Sequence, residues 1–532
     1  MSCCVMFIAP SDASCANVSW WMDATLCSEQ LDRLEILVRQ FIERQFDSFQ
    51  DLWDFQESLI NFQIEAQTLK ASERGRKKGL KATARANAAA QHGDWKSENQ
   101  RLDREISCGD AHVEAYRRAD ALSRQLGDAL AWDLLGSDAR SLKPLMKNER
   151  VSSMPNGHGL AGMMAFAANF ANEGKCIPLF HDVTNCLRVG DVTFVRPDRD
   201  PLTFEVKTKL TTLDESDNSA TLSMTAYTLG HRNAQWDDVL ARLPSPLVVT
   251  ANGDEGRTAQ VGQAPARLDA RGVRQLERMR NAVAWRAANT EEFFTIGSER
   301  SIKVDIAPSD GTFRWVDMRD VCAEARIVGR ASRRVEDGLV YVALRSDDAS
   351  RQPSAEDVQE VFKAHMARVE LAASSAQRDT RSSWWFGGTE KYLSGDIPYE
   401  MRPFFLYPLP ADDIVDLMRG RLVITVFVSV ERFLTSIKDA GFEMQPLGKE
   451  QRVGTDLPDA SKIVYISNGT PIKLDLYGST LASYGQQMFH EFLSIQGFTR
   501  LLSEMARGAA TAAERDGVRE PTRYGLSHPR IG

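Results

Sequence analysis

No proline occurs between Ser11 and Leu142. A stretch of that length, free of the residue that removes a backbone donor and breaks the preceding turn, can form unusually long helices. Within it Leu31, Leu34, Leu37, Val38 and Phe41 recur at spacings of three and four, which is one face of a helix. Between Lys70 and Arg104 the apolar stripe thins and charge rises, as in a solvated helix or helical linker. A second amphipathic run follows over 111–135. The sequence predicts a helical region over 1–140.

From Lys143 the pattern changes. PNGHG (155–159) has turn chemistry, and an apolar helix is expected over 160–172. Three short runs, CIPLFHDV, RVGDVTFV and LTFEVKTK, read as strands bounded by Gly, Pro, Asp or Asn. PLVVTANG (246–253) reads as a fourth strand, and 269–288 as a following helix. This order predicts helices covering a small sheet over 141–290. Region 291–507 reads as a further α/β unit. GLVYVALRS, RLVITVFVSV and KIVYISNG are its strands; DIVDLMRG, ERFLTSIKDAG and GQQMFHEFLSIQGFTRLLSEM are its helices. Residues 508–532, rich in Ala, Arg, Gly and Pro, read as a disordered tail. The expected fold class is mixed α/β (α+β), with two to four domains for a chain of 532 residues.

Composition narrows the function classes. With 43% hydrophobic and 26% charged residues, the chain has the balance of a globular protein. Its eight cysteines show no CxxC spacing and no histidines at zinc-finger spacing, which argues against a disulfide framework or structural zinc. The N-terminus lacks a basic segment before its apolar run, and the apolar run at 422–430 is too short to span a bilayer. A cytoplasmic protein without a membrane partner is expected. There is no P-loop, GxSxG elbow, HExxH or dinucleotide fingerprint. The net charge of −8 speaks against a uniformly basic nucleic-acid binder. A local cleft and bound metal ions would suffice for one.

One constellation carries chemistry. In a strand LTFEVKTK, Leu202, Phe204 and Val206 take one face; Thr203, Glu205, Lys207 and Lys209 take the other. A carboxylate and an ammonium side by side on a short strand are costly to cover unless they are paired or bind something. The preceding run carries Asp191, and the turn at 195–201 makes the two runs a hairpin. Two carboxylates on neighbouring strands form a hard oxygen site suited to Mg²⁺. The other reading of Glu205 and Lys207 is a solvated edge strand with a cross-strand salt bridge.

The order Asp191, a gap of 13 residues, Glu205, one apolar residue and Lys207 resembles the signature of the PD-(D/E)xK, restriction-endonuclease-like nuclease superfamily. Gly190 stands where the family signature has proline. The resemblance covers roughly 160–288 and implies a metal-dependent nuclease, with DNA as the favoured substrate and an endonuclease as the favoured type. It implies Asp191 and Glu205 as ligands of Mg²⁺, with Mn²⁺ as a substitute, and Lys207 as the catalytic lysine. On the expected helix at 269–288, Gln275 is the candidate fourth catalytic residue and Arg278 the second choice. Asp182 is an alternative metal ligand, whereas His181 reads as a structural residue. Nucleases with large flanking domains resemble components of bacterial anti-phage defence, which implies a protein partner or homo-oligomer.

The segment from Lys70 to Arg85 holds Lys70, Arg74, Arg76, Lys77, Lys78, Lys81 and Arg85 against Glu73 alone. It is either a phosphate-tracking face or a solvated one. Trp384, Trp385 and Phe386 read as buried aromatics or as a base-stacking group. Two alternatives to an enzyme stand: a non-catalytic sensor or partner-binding subunit on a nuclease-like scaffold, and a structural subunit assembled through the long helices.

Overall fold

The computed structural model describes residues 24–46, 48–90, 93–135, 142, 145, 158–187, 189–196, 199–214, 219–228, 248–250, 293–296, 299–302, 312–346, 353–372, 384–389, 402–446, 461–467, 470–476, 488–516 and 523–524. The proline-free stretch forms three helices: α1 (Ala24–Ile42), α2 (Phe49–Ala90) and α3 (Trp95–Leu134). Arg44 ends α1 at φ 54°, with Gln45 N–H reaching back to the Gln40 carbonyl. Ser48 then starts α2 through a reciprocal cap: its N–H donates to Asp51, and Asp51 N–H donates to the Ser48 hydroxyl. The charge-rich stretch is therefore the distal half of a helical hairpin between α2 and α3. The stacked and edge-on rings of Phe41, Phe46 and Phe55 tie α1 to the base of α2.

Next come α4 (His158–Gly174), β1 (Ile177–Phe180), a 3₁₀ turn (His181–Val183), β2 (Val192–Arg196), β3 (Arg199–Asp214), β4 (Ser219–Thr228) and β5 (Val248–Thr250). These strands form one antiparallel sheet in chain order. Phe166 and Phe170 of α4 pack against Phe194 and Phe204 of the sheet, with centroids between 4.2 and 6.1 Å apart. β4 has no counterpart in the sequence reading: SATLSMTAYT is too polar to show a core face, although its residues suit a strand. The helix expected over 269–288 lies outside the described residues.

After the hairpin of β6 (Phe293–Ile296) and β7 (Glu299–Ile302), α5 (Trp315–Val328) leads into β8 (Arg330–Glu336) and β9 (Leu339–Arg345). α6 (Ala355–Ala372), β10 (Trp384–Gly388), α7 (Ala411–Arg419), β11 (Leu422–Ser429) and α8 (Val430–Asp439) follow. The second sheet runs β10-β11-β9-β8, all antiparallel. All of β11 is buried, as its apolar run requires. Trp384 and Phe386 belong to edge strand β10 and pack on Phe362 and Phe427, so this aromatic group helps build a core. A third sheet holds β12 (Phe442–Pro446), β13 (Ser461–Ser467), β14 (Thr470–Leu476) and the short parallel β15 (Arg523–Tyr524).

The helix expected across 485–505 is broken. Phe492 takes φ 55°, Leu493 bridges to Phe313, and α9 (Ile495–Asp516) begins afresh with the Ser494 hydroxyl accepting from Gly497 N–H. The segment read as a tail from 508 is helical as far as Asp516. The described chain is thus a mixture of helices and mainly antiparallel sheets. Among the described residues no helix is long and apolar enough to cross a membrane.

The N-terminal helices share one hydrophobic core with both the first and the second sheet. Arg118 donates to the Met418 carbonyl at the end of α7, and Arg419 pairs with Asp32 and Glu35 of α1. Gly127 on α3 lies so close to the 3₁₀ turn that a Cβ would meet the Val183 carbonyl oxygen at 2.1 Å. Gly127→Ala is therefore expected to destabilise by about 1–3 kcal/mol through overpacking. At Gly109 a Cβ would meet only the flexible Glu73 and Arg76 side chains. There Gly→Ala is expected to be neutral or to stabilise by up to about 1 kcal/mol through helix propensity. Urea unfolding of both variants checks the pair.

Candidate functional site

The site begins where β1 ends. As an edge strand, β1 would expose backbone polar groups, and α2 answers them with a glutamine. Gln56 donates to the Pro178 carbonyl at 2.7 Å and accepts from Phe180 N–H at 3.1 Å, as a neighbouring strand would. One helical face farther on, Gln63 donates to the Val183 carbonyl at 3.1 Å. From α3, Asp128 accepts the N–H groups of Asn185 and Cys186 at 2.6 and 2.8 Å, and Arg124 donates to the Asp182 carbonyl at 2.6 Å. Thr184 closes the loop by donating to the His181 carbonyl and accepting from Leu187 N–H. Two helices thus fix the backbone that leads into Asp191.

Asp191 lies at the mouth of β2, one residue before its pairing with β3 begins. Its N–H donates to the Phe204 carbonyl at 2.7 Å and its carbonyl accepts from His181 N–H at 3.0 Å. Its carboxylate Oδ2 accepts from the N–H of Val206 at 2.6 Å. Val206 is the residue between Glu205 and Lys207, so the Asp191 carboxylate sits on the backbone that joins the other two members of the signature. Glu205 is only 5% exposed on β3, opposite Tyr227 of β4. Lys207 stands two residues along the same strand, opposite Thr225. Its side chain is outside the described residues, as are Gln275 and Arg278 entirely.

Gly190 makes this geometry possible. It takes φ +85°, and a Cβ there would meet Thr203 Cγ2 at 2.6 Å and the Phe204 carbonyl oxygen at 2.9 Å. Proline, fixed near φ −65°, cannot adopt this conformation. Glycine rather than proline at this position is therefore what this backbone requires.

The sheet face away from α4 is polar and buried. Thr203 and Thr193 are linked through their hydroxyls at 2.7 Å, and Thr193 reaches His181 Nε2 at 2.7 Å. His181 Nδ1 lies 3.1 Å from the Gly190 carbonyl oxygen, which can only accept, so Nδ1 carries a proton. Both ring nitrogens are committed, and His181 is a structural residue that braces Gly190 from below. Asp182 contributes its carbonyl to Arg124.

Among the described residues, no three His, Cys, Asp or Glu side chains converge into a group that could hold a metal ion. Asp191 lies at the mouth of β2 and Glu205 on the neighbouring β3, with the Asp191 carboxylate bound to the backbone N–H of the residue that follows Glu205. Mg²⁺ retains several waters and is commonly held through one or two carboxylates plus substrate phosphate oxygens, so such a pair fits it. One Asp191 oxygen, Oδ2, accepts from Val206 N–H.

The positioning residues Gln56, Gln63 and Asp128 were not singled out in the sequence. Their signal was a polar residue placed within a buried helix face, since Gln56 and Gln63 share the helical period of their apolar neighbours. Compared with protein-family models, curated proteins and solved structures, the chain matches none.

Gly190→Ala is expected to destabilise the protein by about 1–3 kcal/mol through strain at positive φ. Asp128→Ala is expected to cost a similar amount, about 1–3 kcal/mol, by orphaning two backbone N–H groups. Denaturant midpoints measured beside wild type check both.

Proposed function

We propose that this chain is a divalent-metal-dependent nuclease of the PD-(D/E)xK class that hydrolyses phosphodiester bonds in DNA. The observation that carries the reading is the hydrogen bond from Val206 N–H to the Asp191 carboxylate. It joins three residues in the order and strand context of the signature: an acid at the mouth of one strand, and a buried Glu205 and Lys207 on the next.

In this reading Asp191 and Glu205 hold Mg²⁺, with Mn²⁺ as a substitute. When bound, the ion supplies Lewis acidity toward the phosphate and lowers the pKa of water at the site. Lys207 places a positive charge beside the phosphate and orients the attacking water. The buried polar face below, with its paired Thr193, Thr203 and His181, holds the strands rigid so that the acids keep their separation.

The test is cleavage of supercoiled plasmid and single-stranded DNA with Mg²⁺ or Mn²⁺. Wild type is expected to cut, and chelation by EDTA to abolish cutting. Asp191→Asn, Glu205→Gln and Lys207→Ala are each expected to lower the rate by about 100-fold or more, the scale on which positioned catalytic groups act. Lys207→Ala should leave thermal unfolding near that of wild type. Cutting that survives both Glu205→Gln and Lys207→Ala would sink the assignment.

A further inference from the structure

The distal half of α2 carries a cationic face that the site does not use. Lys70 pairs with Asp120, Arg76 with Glu73, and Lys77 with Asp110. That leaves Arg74, Lys78, Lys81 and Arg85, all four exposed and none in an ion pair among the described residues. Their spacing of four, three and four places them on one helical face, about 16 Å long at 1.5 Å per residue.

Several other cations of these helices are neutralised locally. Arg39 has Glu35, Arg101 has Glu98 and Glu105, and Arg117 has Glu114, each one turn away. Around Arg74, Lys78, Lys81 and Arg85, the positions three and four residues away hold only Lys, Arg, Ala and Gly. Like charges one turn apart repel and weaken a helix. In a chain whose net charge is −8, this face concentrates uncompensated positive charge. Small neighbours keep it open: a Cβ on Gly75 or Gly79 would meet nothing within 4 Å.

Its direction is set by the contacts of α2. At 100° per residue, Lys70, Glu73 and Lys77 look toward α3, to which they are joined through Asp120, His112 and Asp110. The four cations lie between about 20° and 80° from Lys70 and farther from Glu73, flanking the α3 side, and Gln67 in their phase also donates to Asp120. They share the helical phase of Gln56 and Gln63, the residues that dock α2 on Pro178, Phe180 and Val183. The cationic face continues the helical phase of Gln56 and Gln63 along α2, starting about 16 Å beyond Gln63.

We infer that Arg74, Lys78, Lys81 and Arg85 form a binding face for the phosphate backbone of duplex DNA, on the helix whose base docks through Gln56 and Gln63 on the strand and turn that precede Asp191. The choice of DNA as occupant rests on the nuclease reading. The charge complementarity does not: a duplex of this length presents about ten phosphates to four unpaired cations. Contacts of this kind carry no sequence information and serve to hold the duplex in register.

The experiment is fluorescence anisotropy with a labelled 30-base-pair duplex and the full chain in EDTA, where no metal-dependent cutting occurs. Binding is followed from 50 to 200 mM salt. For four phosphate contacts, affinity should fall about 100-fold or more over that range. Changing all four residues (Arg74→Gln, Lys78→Gln, Lys81→Gln, Arg85→Gln) should reduce the slope of log K against log salt by about 3.6. Changing Arg74→Lys and Arg85→Lys should preserve the slope, because charge is kept. Circular dichroism should show helix content intact in both, since the positions are exposed and glutamine is a good helix former.

An unchanged slope in the fourfold variant overturns the inference. So does wild type that binds vesicles of anionic lipid, or single-stranded RNA, but not the duplex. Because the readout needs no metal and no cleavage, binding without cutting would fault the nuclease reading alone. Cutting with an unchanged slope would fault the cationic face alone.

Discussion

The backbone between Pro178 and Cys186 depends on side chains from two helices for its hydrogen bonds, and the rest of the described structure is arranged around that dependence. A strand edge followed by a tight turn carries more N–H and C=O groups than its own strand partner can satisfy. Gln56 and Gln63 from α2, with Arg124 and Asp128 from α3, supply what is missing. Each of these side chains is buried, and the two glutamine bonds are made fully away from water, where leaving a partner unpaired is costly. The result is a rigid joint between the helical hairpin and the first sheet.

That joint matters because the acidic pair sits directly behind it. His181 leaves the turn, braces Gly190 through its ring and contacts the Thr193 hydroxyl. Gly190 takes the left-handed turn that lets Asp191 leave the register of β2 and put its carboxylate on Val206 N–H. The sequence places an acid before a strand and an acid and a lysine on the next; the turn decides that the first acid meets the backbone of the other two. A small displacement of the turn would separate them.

The same helices also reach the other half of the chain. Arg118 is buried and donates to the Met418 carbonyl, while Arg419 is held by Asp32 and Glu35. The second sheet and the first are therefore both packed on one helical layer, and their cores merge into one cluster. The ion pairs at this seam contribute little energy where they are exposed. Apolar burial along α1 and α3 does most of the holding.

Local periodicity made much of this legible in advance. The absence of proline foretold α1 to α3, although not the hairpin turn between the last two. The three strand runs, the apolar helix before them, and the buried strand at 422–429 follow from period and composition. The Asp191, Glu205 and Lys207 pattern and the spacing of Arg74, Lys78, Lys81 and Arg85 can be read off the chain, because strand and helix periods assign residues to faces. Tertiary structure alone decided the rest. β4 is too polar to announce a core face, and the break at Phe492 is accompanied by a bridge from Leu493 to Phe313, a residue far away in the chain. The roles of Gln56, Gln63 and Asp128 rest on hydrogen bonds to partners 57 to 124 residues distant. A local pattern encodes which face a residue takes, but not which distant backbone group will need its side chain.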